Sequence, residues 1–155
     1  MSNVGTLRRL VSRPEYMEQF VTVVITNAQL KVLRATPKTL VAAPGSTRLL
    51  QFTGGVLILK AGANVLAETA DNLAIKYTDG SGVAVSQTIE CTGFIDQSVD
   101  TITNILPKVD AIVAKTAGLG KALVLHNTGD GEWTANAAAD ATLVVRLAYR
   151  VWDFS

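Results

Sequence analysis

The sequence has few charged residues, few aromatic residues and almost none of the residue types that build metal or redox sites. Charged residues make up 17% and aromatic residues 6% of the 155 residues, and there is one cysteine and one histidine. A single cysteine, Cys91, excludes an intrachain disulfide. A single histidine, His126, excludes a metal site built from several histidines of one chain. We therefore expect no metal and no other cofactor.

The chain also lacks an excess of charge of one sign and long apolar runs. Its 14 basic and 13 acidic residues give a net charge of +1, which provides no positive field for a nucleic acid. No apolar run approaches the length of a membrane-spanning helix. Arg8, Arg9 and Arg13 lie near the start, but Pro14 and Glu15 follow where the apolar core of a signal peptide would begin. We expect neither a nucleic acid nor a membrane as partner, and synthesis in the cytoplasm.

Apolar residues are plentiful: they make up 48% of the chain. A chain of this length buries enough surface to fold as one domain without a disulfide or a metal. Its scarcity of charge predicts that part of its surface contacts other subunits.

Short runs of alternating apolar and polar residues are separated by turns rich in glycine, proline and aspartate, a pattern typical of strands. In Leu143–Val151 the odd-numbered residues are apolar, whereas Arg146 and Arg150 fall on the other face. Further candidate strands are Val21–Thr26, Leu73–Thr78, Gln87–Thr92, Ala111–Ala114 and Ala122–Asn127. Many short strands with glycine-rich turns predict an all-β fold.

One longer run and two short helical patterns complete the prediction. Arg48–Ala61 is interrupted by Gly54-Gly55, which predicts a bulge or a bend where one long strand turns a corner between two sheets. Asn27 is a candidate cap for one helical turn or two, and Ser98 for another that carries Val99, Ile102 and Leu106. The pattern of strands is compatible with a β-sandwich, a jelly roll or a barrel. Of these we choose a jelly-roll-like β-sandwich over residues 20–155 with at most one or two short helices, preceded by an extended N-terminal arm, residues 1–19.

Candidate catalytic residues lack partners. Cys91 has no histidine near it in sequence and is expected in the core, and His126 is expected as a polar residue at a strand end. No pair among the 13 acidic residues stands out as a general acid and base. We therefore expect no enzyme. Trp133 or Trp152 as a sugar-stacking platform is an alternative, although tryptophan in the core or at a subunit contact is the favoured interpretation.

Three stretches together resemble small virion proteins of tailed bacteriophages and prophages. They are Ala35–Gly45 (ATPKTLVAAPG), Leu73–Gly80 (LAIKYTDG) and Lys121–Asn127 (KALVLHN), with the Leu143–Tyr149 strand after them. The resemblance covers roughly residues 25–152 in pattern and includes no catalytic signature.

The resemblance implies a capsid decoration, or cement, protein. Such proteins bind the outside of a shell of HK97-like major capsid proteins, often as dimers or trimers, and several are jelly rolls. It implies a location on the capsid exterior, with the major capsid protein and further copies of this chain as partners. Stabilisation would be mechanical, because each copy links neighbouring capsid subunits and many copies act together.

Within this hypothesis two groups of residues are candidate contacts. Met1–Glu18 is expected to contact the lattice, with Arg8, Arg9 and Arg13 pairing with capsid carboxylates. Arg146, Arg150 and Trp152 are expected at a sheet edge or a subunit contact, because arginine and tryptophan are enriched in interface hot spots. The alternatives are another head–tail or tail component of a phage, or a carbohydrate-binding jelly roll.

Overall fold

The structure, a computed structural model, describes residues 17–67, 71–110 and 112–155. Two four-residue helices, α1 (Asn27–Leu30) and α2 (Lys115–Gly118), accompany strands that account for most of the regular structure. The strands are β1 (Gln19–Ile25), β2 (Lys38–Val41), β3 (Arg48–Lys60), β4 (Leu66–Ala67), β5 (Leu73–Tyr77), β6 (Thr101–Ile105), β7 (Leu123–Asn127), β8 (Thr134–Ala135) and β9 (Thr142–Asp153). The predicted all-β fold with at most two short helices is confirmed.

The strands form two main antiparallel sheets and one small one. The orders are β1-β9-β3-β6, β2-β7-β5 and β4-β8. The segment 84–89 lies along β5, with bridges between Lys76 and Ala84 and between Leu73 and Ile89. It therefore occupies the place of a fourth strand in the second sheet, although it forms no continuous ladder.

The pairing is that of a jelly roll, in which one long antiparallel hairpin is rolled into two facing sheets. Eight strands remain when the segment 84–89 is counted as a strand and β4 and β8 are set aside. The first of them pairs with the last (β1 with β9), the second with the seventh (β2 with β7), the third with the sixth (β3 with β6) and the fourth with the fifth (β5 with the segment 84–89). Pairing of β9 with β3 and of β7 with β5 then joins these strand pairs into two four-membered sheets. The predicted jelly-roll-like sandwich follows from this strand order.

The core lies between the two main sheets. Alternation along each strand supplies its side chains, among them Leu143, Val145 and Leu147 of β9 and Leu73, Ile75 and Tyr77 of β5, all buried. A hydrogen bond ties the sheets together, because the buried Tyr77 hydroxyl donates to the carbonyl oxygen of Leu50 on β3 at 2.6 Å. Cys91 is also buried, as the sequence predicts.

The Gly54-Gly55 interruption is a bulge, as predicted, but the predicted corner is wrong. The register to β9 shifts between Phe52 and Gly54, so Thr53 is the extra residue. Gly54 has φ +150, a backbone conformation that side chains with a β-carbon rarely adopt. Both halves of β3 nevertheless pair with β9, so the strand stays in one sheet and only its alternation changes.

Three other local predictions are also wrong. The apolar spacing at Val99, Ile102 and Leu106 does not mark a helix, because strand β6 covers Thr101–Ile105. Residues 112–114 of the candidate strand Ala111–Ala114 have no regular structure, and Ala111 lies outside the described residues. Helix α1 is capped by Thr26 rather than Asn27, through a capping box in which Gln29 donates to the Thr26 hydroxyl and its side-chain oxygen accepts from the Thr26 amide.

Candidate functional site

The outward surface of the four-stranded sheet is apolar and uncovered by other described residues. We call it the outer face and define it by the outward-facing side chains of its strands: Phe20, Thr22, Val24, Val56, Ile58, Ile102, Asn104, Val144, Arg146 and Ala148. Phe20 is 76%, Val24 55% and Ile102 66% exposed. Monomeric soluble proteins rarely leave large apolar patches on their surface, and such patches mark interaction sites.

The strand register places these side chains in rows across the sheet. One row is wholly aliphatic and runs Val24, Val144, Ile58, Ile102 over all the strands. The next row contains Arg146, with Thr22 on one side and Val56 then Asn104 on the other. Cross-strand rows of β-branched residues pack well on a pleated surface, so the apolar character is built into the register rather than scattered.

A shallow groove crosses the outer face beside Arg146. It is lined by Phe20, Thr22, Val56, Arg146 and Ala148, together with backbone of their neighbours. The groove exists because β9 carries only the methyl group of Ala148 here and β3 carries the bulge glycines. Gly55 permits this close packing, since a β-carbon on it would collide with the backbone oxygen of Arg146.

Arg146 is an exposed guanidinium in largely apolar surroundings. It makes no hydrogen bond or ion pair with any other described residue. Its neighbours two residues away on β9 are Val144 and Ala148, and its partners across the sheet are Thr22 and Val56. Arg146 therefore presents to solvent a guanidinium whose fork of donors matches the geometry of a carboxylate.

The sequence places Arg146, Arg150 and Trp152 together, and the structure agrees that all three lie on the same side of β9. Arg150 is exposed, and the Trp152 indole nitrogen donates to the side-chain oxygen of Gln51 at 2.7 Å. The expectation that they lie at a sheet edge is wrong for Arg146, because β9 runs between β1 and β3. A subunit contact made by these residues stays a prediction.

The candidate contacts of the N-terminal arm fall mostly beyond the residues that the structure describes. Arg8, Arg9 and Arg13 lie outside the described residues. The described end of the arm is tied to the outer face, because the Glu18 carboxylate accepts a hydrogen bond from the Thr53 hydroxyl at 2.6 Å. This contact crosses β9, since Gln19 pairs with Tyr149 on one side and Thr53 lies in the bulge on the other. Strand β1 begins at Gln19, the last residue of the predicted arm.

His126 and Trp133, which have catalytic or sugar-binding potential, are buried. His126 is 8% exposed and, within the described part of the chain, its Nδ1 has no hydrogen-bond partner. Burial lowers the pKa of His126, and the nearby positive charge of Lys76 adds to the effect. Trp133 is 1% exposed and belongs to the core, so it is not a sugar-stacking platform. Over residues 17–67, 71–110 and 112–155, no three acidic, histidine or cysteine side chains are placed to hold a metal ion.

Sequence reasoning missed the outer face. The signal was present in Val56–Leu59, which is apolar at both odd and even positions, and in Phe20 and Val24, which break the alternation of β1. No helix within the described ranges has the length and apolar character to span a membrane.

Comparison with known proteins identifies no family. No family model and no curated protein matches the chain. Among solved structures, one chain from a structure described as "nora virus structure" aligns at 15% identity with a TM-score of 0.28. The alignment covers 90% of this chain and 61% of that chain, so this chain spans less than two thirds of it. A TM-score this low does not establish a common fold.

Proposed function

We propose that this chain is a virion structural protein of a tailed phage, a decoration protein that binds the outside of the head and links neighbouring capsid subunits. The observation that carries the proposal is the outer face, an apolar sheet surface with an exposed arginine in its midst. A surface of this kind is what a module needs when its role is to be covered by another protein. The resemblance to phage virion proteins supplies the identity of that protein, the major capsid protein.

The jelly roll supports the proposal in a second way. Two sheets with a closed core give a rigid body that transmits force between two contact sites without internal rearrangement. Jelly rolls recur in viral capsid domains and also in lectins and cupins, so the fold alone does not select among these roles. The proposed role requires no catalysis and no cofactor.

The mechanism is mechanical linkage by many copies. Each copy binds the assembled lattice and not the separated subunits, so its binding free energy adds to the cost of opening the shell. The outer face supplies apolar contact area. Arg8, Arg9 and Arg13 of the arm, which joins the sheet on the side of the outer face at Glu18, would add ion pairs with capsid carboxylates.

The test uses shells of the encoding phage assembled without this protein. Full-length protein is expected to sediment with them and to raise the temperature at which they open. The double variant Val24→Lys/Ile102→Lys, which places two charges in the aliphatic row, should weaken binding at least about tenfold because an ammonium buried in an apolar contact loses its hydration. Val32→Lys, at an exposed valine outside the outer face, is the matched control and should bind like the wild type.

Two results would contradict the proposal. Absence of binding to such shells would remove the decoration role. Assembly of the purified protein into rings or long polymers would favour a tail or connector component instead, whereas a dimer or trimer by light scattering fits a symmetric decoration protein.

A further inference from the structure

We infer that the groove beside Arg146 binds a short protein segment in which a large apolar side chain lies close to an aspartate or glutamate. This deepens the proposed function and rests on it only for the identity of the partner, which would be a capsid subunit. The groove geometry and the charge of Arg146 carry the chemistry of the ligand.

The apolar half of the ligand follows from the shape of the groove. Ala148 pairs with Phe20 on one side and with the bulge residue Gly54 on the other, and Val56 lies two residues further along β3, opposite Arg146. The short side chain of Ala148 and the missing side chain of Gly54 leave the space between Phe20 and Val56. A leucine, isoleucine or phenylalanine side chain that enters this space would contact apolar carbon on both sides and displace water from exposed Phe20. A polar side chain would gain little there, since Thr22 is the only uncharged side chain along the groove that offers a hydroxyl.

The acidic half follows from Arg146. Its guanidinium lines the same groove and makes no ion pair with other described residues. A carboxylate in the ligand can accept two parallel hydrogen bonds from it, and the apolar neighbours of Arg146 would shield this pair from water. Arg150, four residues along the same strand face and exposed, extends the positive charge in one direction.

Charge also distinguishes this ligand from the two other segments that are available to cover the face. A second copy of the chain in a symmetric face-to-face contact would bring a second Arg146 toward the first. Residues 1–16 of the chain carry Arg8, Arg9 and Arg13 against one acidic residue, Glu15. Both would add positive charge next to Arg146, the charged residue of the outer face, so an acidic partner is favoured.

The inference is tested by selecting from a random library of twelve-residue peptides on immobilised full-length protein. Selected peptides should be enriched in aspartate or glutamate within a few positions of a large apolar residue. On the charge-reversal variant Arg146→Glu, the acidic residue should be replaced by lysine or arginine. A synthetic peptide of the selected sequence should bind Arg146→Gln at least about tenfold more weakly than the wild type, which corresponds to about 1.4 kcal/mol.

Two further variants make the result specific to the groove. Ala148→Leu fills the groove from an exposed sheet surface and should weaken peptide binding to a similar extent. Arg48→Gln removes an arginine of the same sheet that already pairs with Asp153 at 3.2 Å, and should leave peptide binding unchanged. Unchanged unfolding midpoints show that these variants are folded.

Several outcomes would overturn the inference. They are the absence of any enriched sequence on the wild type, and the same peptides selected on Arg146→Glu with equal affinity. A dimer that dissociates in Ala148→Leu would show that a second copy occupies the groove. Peptide affinity that rises at least tenfold in Leu7→Ser/Leu10→Ser, which removes apolar side chains without adding a carboxylate, would show that the chain's own N-terminal segment occupies it.

The result is separable from that of the shell experiment. Shell binding that persists in Arg146→Glu and Ala148→Leu keeps the decoration role and removes the groove as the contact. Selected peptides with no binding to shells keep the groove as a site for an acidic, apolar segment and remove the capsid as its source.

Discussion

The outward faces of the two main sheets differ in their solvent exposure. On the three-stranded sheet the outward side chains include Ala74, Val124 and His126, which are 3%, 2% and 8% exposed. On the four-stranded sheet Phe20, Val24 and Ile102 are more than half exposed. The outward side of the three-stranded sheet also carries Lys76, so it is the more polar of the two surfaces and nevertheless the more deeply buried.

The difference in exposure arises because a loop between strands covers one of the two faces. The turn after β5 folds back over the three-stranded sheet. Gly80 lies so close to the His126 ring that a β-carbon on Gly80 would come within 2.6 Å of Nε2. The Lys76 ammonium donates to the Gly80 carbonyl oxygen at 2.6 Å and fixes this turn. No described connection does the same for the outer face. The described loops cover one sheet and leave the other uncovered.

The sharpest test of this comparison uses two isoleucines of one strand. Ile105 is 1% and Ile102 66% exposed on β6. Ile105→Ala is expected to lower the free energy of unfolding by about 2–5 kcal/mol, because it leaves a cavity between the sheets. Ile102→Ala should change it by less than about 0.5 kcal/mol. Urea unfolding measures both, and equal losses would mean that the outer face is part of the folded core.

A smaller effect is expected for the hydrogen bond that joins the sheets. Tyr77→Phe removes the donor to the Leu50 carbonyl oxygen and is expected to cost about 1–3 kcal/mol, because a buried acceptor loses its partner. Burial raises the pKa of Tyr77 to about 12. The folded protein thus holds this proton more tightly than the unfolded chain, so stability should fall as the pH rises above 10. Tyr77→Phe should lack that contribution in urea unfolding at alkaline pH.

The covered face should respond to acid through His126. Its pKa lies below the ordinary value of 6.5 because the ring is buried and Lys76 is near. The unfolded chain therefore binds the proton more readily, and the free energy of unfolding should be highest above pH 6.5 and decline below it. His126→Asn should flatten this decline between pH 6.5 and about 5, where most carboxylates are still ionised. An unchanged slope in that variant would assign the decline to other groups.

The smallest effect on stability is expected at the outer face itself. Arg146→Gln should change the free energy of unfolding by less than about 0.5 kcal/mol, since the guanidinium pairs with no described residue. Thermal unfolding followed by circular dichroism measures it. A loss above 1 kcal/mol would give Arg146 a structural role and weaken its assignment to binding.

The sequence was sufficient to predict the strands that have one apolar and one polar face. In β9 Leu143, Val145 and Leu147 are buried, Tyr149 and Val151 are partly buried against the core, and Arg146 and Arg150 are exposed. Alternation therefore predicted both the strand and its orientation. Strand β6 was missed because Ile102 is apolar yet exposed, and its spacing to Val99 and Leu106 imitates a helical stripe. The exposed apolar residues of the outer face break the rule that links hydrophobicity to the core, and this is why the candidate site escaped sequence reasoning.

The alternation of apolar and polar residues does not reveal which strands pair or to which sheet a strand belongs. The β3 bulge reverses which residues face inward, from Leu50 and Phe52 before it to Leu57 and Leu59 after it. Only the register with β9 shows that the strand remains in one sheet. The central position of β9 likewise depends on β1, which precedes it by more than a hundred residues.

The position of β1 at the margin of the four-stranded sheet has a mechanical consequence. Among the strands that the structure describes it hydrogen-bonds to β9 alone, through the register from Gln19–Tyr149 to Ile25–Leu143. A pull on the preceding segment along the strand axis loads all these ladder bonds at once, in shear. A pull away from β9 within the sheet peels them one after another, beginning at Gln19. The direction in which an anchored arm leaves Gln19 therefore decides how much tension the molecule withstands before its first strand detaches.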